Sequence, residues 1–314
     1  MQPKPPNNIS WVNLLKGLRI KNLAIIIVLC VITQIHINTQ LTNDFRLPFY
    51  SEVGKLTILI AFLVSITLGG YFKNDIDDLE IDIANGKKTN LADLLGKSLS
   101  FKFYVSLVFF TLALSFLLAF WYDKWMYWPL VPVTILLLHG YSKRIKTIVF
   151  APNLLVGLLC GLVIFFIKWA NEPQYVETAV INFASIHLSL IDIFALFAVL
   201  TTILREIVKD CQDIEGDKLF HKRTFPIVNG LSYTYNVLKA GLLLLMAIEF
   251  FCLLNFHENE LVVGFILGLC FSLIILLLII KMTNIESKHR LFSALLKWKM
   301  ILGMMVWLSN SLLT

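Results

Sequence analysis

Two stretches of this chain carry the same acidic pattern, each where a long apolar run meets its polar flank. The first is Asn74-Asp75-Ile76-Asp77-Asp78-Leu79-Glu80-Ile81-Asp82, and the second is Lys209-Asp210-Cys211-Gln212-Asp213-Ile214-Glu215-Gly216-Asp217. Both contain Asp-x-x-Asp-x-x-x-Asp. At about 100° per helical residue the three aspartates of one copy fall within roughly 60° of arc, so each copy is expected to aim three carboxylates one way. Like charges stacked on one helical face repel, and a bridging cation removes that penalty. Asp75, Asp78, Asp82, Asp210, Asp213 and Asp217 offer oxygen only, with no His or Cys in either triad, which selects Mg²⁺ or Mn²⁺ over Zn²⁺. Mg²⁺ typically keeps several waters and takes one or two carboxylates plus substrate phosphate oxygens. Two such clusters facing each other therefore read as a diphosphate site. Asn74 adds a neutral oxygen for a metal or a metal-bound water, whereas Asp77 and Glu80 fall off the shared arc.

Basic residues supply the complementary charge. Arg205 and Lys209 lie on one helix face at i, i+4, beside Asp210, where they would stabilise a departing diphosphate. The alternative is that Glu206 holds one of them structurally. Tyr141-Ser142-Lys143-Arg144-Ile145-Lys146 follows the fourth apolar run; Lys143 and Arg144 read either as diphosphate contacts or as ordinary anchors at the membrane surface. Cys211 has no Cys or His partner nearby and reads as a spacer. Four of the five cysteines lie in apolar runs and read as packing residues.

These side chains must be positioned inside a bilayer. Hydrophobic residues make up 58% of the chain and charged residues 15%, against about 25% charged in soluble domains, and the mean hydropathy is +0.77. Nine runs are long enough to span: about 21–38, 53–73, 99–121, 125–140, 148–168, 187–207, 234–254, 261–281 and 294–312. Lys and Arg concentrate in the N-terminal arm and in the loops after the second, fourth, sixth and eighth runs, as in Lys87, Lys143, Lys222 and Arg290. The alternate loops are poor in them. The positive-inside rule then places the N-terminus and both acidic motifs on the cytoplasmic side and the C-terminus outside. The net charge of +6 is a topology signal, not a nucleic-acid footprint. No cleavable signal peptide is expected, and no polar stretch is long enough to bury a core of its own. The expected fold is all-α: a single domain over 1–314, with nine transmembrane helices around a central cavity and with cap helices from 74–97 and 210–230.

The motifs resemble those of the UbiA-type intramembrane prenyltransferases along nearly the whole chain. Asn74, Asp75, Asp78 and Asp82 match the family's N-D-x-x-D-x-x-x-D signature, and Asp210, Asp213 and Asp217 match its second aspartate motif. Tyr141, Ser142 and Lys146 match a tyrosine–lysine signature, and Arg19 and Asn22 match R-x-x-N at the first span. The stretch from Arg205 to Asp217, with Thr224-Phe225-Pro226-Ile227, looks most like enzymes that prenylate geranylgeranylglyceryl phosphate. The resemblance implies Mg²⁺-dependent transfer of a prenyl group from an isoprenyl diphosphate to a glyceryl phosphate acceptor, with an aromatic quinone precursor as the alternative. A carrier of an anionic, metal-bridged substrate is the rival from another class. The family resemblance also makes Lys146, with Tyr141, a diphosphate contact, and implies an integral protein of a bacterial or archaeal cytoplasmic membrane. Three departures stand out: Ile76-Asp77 in place of an aromatic, Asn85 to Asn90 in place of an Arg/Pro-rich stretch, and His221 in place of a glycine. Neither Asp75 nor Asp210 is expected to support a packed core, so alanine at either should abolish turnover while sparing insertion.

Overall fold

A computed structural model describes residues 10–42, 50–84, 89–125, 128–129, 132–134, 136, 148–171, 180–183, 186–281 and 288–313. Their elements in chain order are α1 (Trp11–Gly17), α2 (Ile20–Thr42), α3 (Tyr50–Asp77), α4 (Leu79–Ala84), α5 (Leu91–Leu95), α6 (Lys97–Trp121) and α7 (Ala151–Asn171). A two-stranded hairpin, β1 (Val180–Phe183) and β2 (Ile186–Ser189), precedes α8 (Leu190–Gln212), α9 (Ile214–Leu219), α10 (Phe225–Asn255), α11 (Asn259–Lys281) and α12 (His289–Leu313).

Seven of the described helices are long and apolar enough to cross a membrane: Ile20–Thr39, Val53–Asp77, Lys97–Trp121, Ala151–Asn171, Phe225–Asn255, Asn259–Ile280 and His289–Leu312. They coincide with seven of the nine expected runs. The run at 125–140 falls mostly outside the described residues. The run at 187–207 begins in β2 and continues as α8, whose Asp192, Arg205, Glu206, Lys209 and Asp210 keep it out of the apolar set. The hairpin is a departure from an all-α chain. β1 and β2 pair antiparallel with Val180 opposite Ser189 and Phe183 opposite Ile186, and the β-branched residues Val180, Ile181 and Ile186 favour strand over helix there.

The chain divides into two compact units. The first takes its described residues from 10–28, 50–136 and 215–222, and its spine is α3 packed along α6. α6 turns bulky rings outward, with Phe109, Phe116 and Phe120 exposed, and buries Thr111 and Ser115. Where lipid is as apolar as leucine, helices gain by facing small polar residues to each other. Accordingly, the Thr111 and Ser65 hydroxyls meet at 2.8 Å between α6 and α3.

The second unit takes its described residues from 29–42, 148–214 and 223–313. Here α7 packs on α8, and α8 on α10 and α12. Gly157 and Gly161 make the first contact possible: a Cβ on them would come within 2.5 Å of Ile203 and 2.4 Å of Val199. This Gly-x-x-x-Gly face lets two helices approach closely. Leu204, Ile207 and Val208 of α8 join Leu238, Leu242 and Leu245 of α10 and Ile275 and Phe292 in one core. A buried ion pair between Glu249 (α10) and Lys299 (α12) is completed by α11, where the Ser272 hydroxyl donates to Glu249 at 3.1 Å and the Gly268 carbonyl accepts from Lys299 at 3.1 Å. Full pairing of this kind is what makes charge tolerable within an apolar span.

Candidate active site

Both acidic motifs straddle a helix break at the same place. α3 ends at Asp77 and α4 begins at Leu79, with Asp78 in the bend; α8 ends at Gln212 and α9 begins at Ile214, with Asp213 in the bend. The expected single helical arc is thus interrupted at its middle aspartate in each copy. The N–H groups of Asp78 and Asp82 still donate four residues back, to Asn74 and Asp78, at 2.9 and 2.8 Å, so the first motif bends without losing register. Aspartate is a weak helix former, and adjacent like charges add to the reason for a break there.

In the first unit the motif is wired to its surroundings. Arg19 Nη2 donates to Asp75 Oδ1 at 2.8 Å, and the Leu91 N–H donates to Asp75 Oδ2 at 2.9 Å. The Arg19 guanidinium lies over the Tyr71 ring, 4.3 Å from its centre, and Asn22 donates to the Tyr71 hydroxyl at 3.4 Å. The Arg19/Asn22 pattern thereby acquires a structural meaning: the turn between α1 and α2 docks on the first motif. Asp75 is only 1% exposed, which corrects the expectation that it supports no packed structure.

Asn90 completes this arrangement. Its side-chain N–H₂ donates to the Asp75 carbonyl at 2.9 Å and to Asp82 Oδ2 at 2.8 Å, while its side-chain oxygen caps α5 by accepting from the N–H groups of Ala92 and Asp93. It lies in the stretch that departs from the family pattern. Its Asn-Leu-Ala-Asp context, an N-cap with an acidic residue three positions on, is the signal that sequence reasoning passed over.

The last aspartate of the second motif, Asp217, belongs to the same unit as the first motif. Lys222 Nζ lies 3.5 Å from both Asp217 Oδ1 and Asp78 Oδ1. One ammonium is therefore shared by a carboxylate from each motif. Lys222 figured in sequence only as one of several cytoplasmic charges.

In the second unit Asn153, on the same face of α7 as Gly157 and Gly161, donates to Asp210 Oδ2 at 2.8 Å. An asparagine near the start of an apolar run was a readable signal, since a polar side chain there needs a partner. Glu206 accepts from Arg205 Nη1 at 3.3 Å and pairs with Lys209, so the structural role allowed for it is present. Two cations against one carboxylate leave net positive charge, and Arg205 Nε is buried without an acceptor among the described residues. Gln212 donates to the His289 carbonyl at 3.0 Å, and the His289 ring meets the Tyr235 hydroxyl at 2.8 Å, tying the motif to α12 and α10. Burial, and then the charge of Asp210, pushes the Cys211 thiol up to about 12, which keeps it a protonated spacer.

Tyr141, Lys143, Arg144 and Lys146 lie outside the described residues. Among those described, no three His, Cys, Asp or Glu side chains converge into a ready-made metal cage. The donor set nonetheless suits a hard cation, being all oxygen, and Asp78 and Asp217 already share one positive charge.

Residues 46–301 match the UbiA prenyltransferase family. A digeranylgeranylglyceryl phosphate synthase of Saccharolobus solfataricus is 32% identical over 275 residues, covering 84% of this chain and 87% of that one. A protein of the same name from Methanobrevibacter smithii is 26% identical over 181 residues, 57% of this chain and 59% of its own length. Among solved structures, a digeranylgeranylglyceryl phosphate synthase superposes with a TM-score of 0.66 at 20% identity, covering 96% of this chain and 99% of that one. A UbiA homologue from Archaeoglobus fulgidus, bound to DMAPP and Mg²⁺, gives 0.57 at 14% identity, with 94% and 98% covered. With the family match running through most of its length, this chain belongs to the UbiA prenyltransferase family.

Proposed function

We propose that this chain is an intramembrane prenyltransferase that moves a prenyl group from an isoprenyl diphosphate to a glyceryl phosphate acceptor, with Mg²⁺ as cofactor and release of diphosphate. The observation that carries the reading is the Lys222 ammonium held between Asp78 and Asp217: the two motifs supply carboxylates to one cation. The names of the relatives support the acceptor class, and the DMAPP and Mg²⁺ bound to the Archaeoglobus homologue support the donor and the cofactor.

Asp78, Asp82, Asp210, Asp213 and Asp217 would hold the metal, with Asn74 as a neutral donor. Asp75 belongs to the set through second lone pairs on the oxygens that already accept from Arg19 and Leu91. When bound, Mg²⁺ would neutralise charge on the departing diphosphate. Arg205 and Lys209 have the matching task on the protein side. Glu206 restrains both, and the buried Arg205 Nε–H keeps a donor for a phosphate oxygen. The family resemblance assigns Lys146, with Tyr141, and Lys143 and Arg144 to the diphosphate as well. Asn90 and Asn153 fix the carboxylates of Asp82 and Asp210, so that little reorganisation is left to the moment of reaction.

The chain acts as one domain over 1–314, with nine spans and with α4, α5 and α9 as cytoplasmic cap helices. Its N-terminus and site lie on the cytoplasmic side of a bacterial or archaeal membrane and its C-terminus outside, as the loop charges indicate. Transfer from labelled geranylgeranyl diphosphate in membranes, with glyceryl phosphate and aromatic acceptors offered in parallel, tests the reading. Transfer to the glyceryl phosphate that stops with EDTA is expected. Transfer only to the aromatic acceptor would overturn the acceptor class, and diphosphate bound without turnover would overturn the activity.

A further inference from the structure

Helix α9 ends in a doubly closed turn. The Lys222 N–H donates to the Asp217 carbonyl at 2.9 Å and the His221 N–H to the Lys218 carbonyl at 3.1 Å, with His221 left-handed at φ 51°. This is the geometry of a Schellman cap, whose left-handed position is usually glycine. The long-range bond of the cap folds Lys222 back over Asp217, five residues earlier, and sets its ammonium 3.5 Å from Asp217 and 3.5 Å from Asp78. Charge-assisted N–H···O bonds are shorter, at about 2.7–2.9 Å. Lys222 is thus held by charge midway between two acceptors, not fixed on one. Its side chain is 24% exposed against 13% for Asp78 and 7% for Asp217, so the flexible stem has a way out while the carboxylates stay sheltered.

We propose that Lys222 is a tethered cation: it occupies the position shared by Asp78 and Asp217 ahead of the divalent metal, and transfers to the diphosphate when metal and diphosphate load together. The idea rests on the metal–diphosphate reading given above. A bare metal must displace the ammonium and meets its repulsion, so Lys222 weakens binding of metal alone. Once diphosphate is present the same ammonium gains anionic acceptors, so Lys222 strengthens binding of the pair. The two ligands are coupled through one side chain, and the coupling is reciprocal.

The test uses the full-length protein in detergent or nanodiscs, with Mn²⁺ followed by the paramagnetic resonance of the free ion and inorganic pyrophosphate followed by calorimetry. Lys222→Met should bind Mn²⁺ alone about fivefold more tightly, and pyrophosphate in the presence of Mn²⁺ about fivefold more weakly, the scale of a partly screened charge pair. Lys222→Gln should repeat this crossed shift and Lys222→Arg should stay near the wild type, which separates charge from misfolding. Shifts of both affinities in the same direction, or in neither, would overturn the role of Lys222 while leaving the site intact. A wild-type protein that binds neither probe would overturn the metal–diphosphate reading itself.

Discussion

Arg19 and Asp75 stand 56 positions apart in sequence, yet Nη2 of one lies 2.8 Å from Oδ1 of the other. The pair locks the turn between α1 and α2 onto the end of α3, and the Leu91 N–H takes the second carboxylate oxygen. Asp75 is therefore part of the structure as well as of the motif, whereas Asp78 occupies a bend and faces a lysine. Variants at the two positions should separate these roles.

Asp75→Ala removes a buried acceptor and leaves the Leu91 N–H without its partner. It should lower stability by about 1–3 kcal/mol and abolish transfer. Asp78→Ala should abolish transfer with little change in thermal unfolding, since Lys222 keeps Asp217 as a partner and the loss of one long charge pair is offset by relief of like charge near Asp77 and Asp82. Thermal denaturation in detergent beside activity in membranes distinguishes them. Equal melting of the two variants would contradict the structural role of Asp75.

Asn153 gives a test of positioning in the second unit. Asn153→Leu keeps the branched outline of the side chain but removes the donor to Asp210. By analogy with partners that orient metal ligands, the loss should be about 10–100-fold in activity or metal affinity. The Mg²⁺ concentration for half-maximal rate should rise with it, while the melting temperature moves little. A fall in rate at unchanged Mg²⁺ dependence would argue against Asp210 as the group being oriented.

The approach of α7 to α8 is set by glycine, so a single methyl should matter. Gly161→Ala places a Cβ 2.4 Å from Val199 Cγ2, and overpacking of this kind costs about 1–3 kcal/mol. α8 carries Arg205, Lys209 and Asp210, so activity should fall as well. Val199→Ala removes the opposing methyls, and the double variant should recover most of the loss. Failure of Val199→Ala to rescue would mean that the contact does not govern where α8 sits.

What could be read from the residues divides along physical lines. The aspartate motifs were legible because their carboxylates recur at helical spacing, and most spans because they are long apolar runs. The bends at Asp78 and Asp213 were not, because periodicity assumes a continuous helix and says nothing of where one breaks. Asn90 was hidden because its worth comes from Asp75 and Asp82 as much as from α5, which its own neighbours do not announce. Lys222 was counted as a surface charge, and only the cap that folds it back reveals its partners. Glu206 was legible as an alternative, since i, i+3 spacing on a helix brings it to Lys209.

His221 offers the sharpest test of that cap. It adopts a left-handed φ of 51° where a side chain costs about 1–2 kcal/mol relative to glycine. His221→Gly should therefore raise the melting temperature by a few degrees at most, since about 1 kcal/mol moves a chain larger than 150–250 residues by no more than about 2–4 °C. His221→Ala removes the imidazole but keeps the Cβ, so it should give no such gain. Activity should survive in both, because the backbone bonds from Lys222 to Asp217 and from His221 to Lys218 do not need the ring. A gain from alanine equal to that from glycine would place the cost in the imidazole instead of in the backbone.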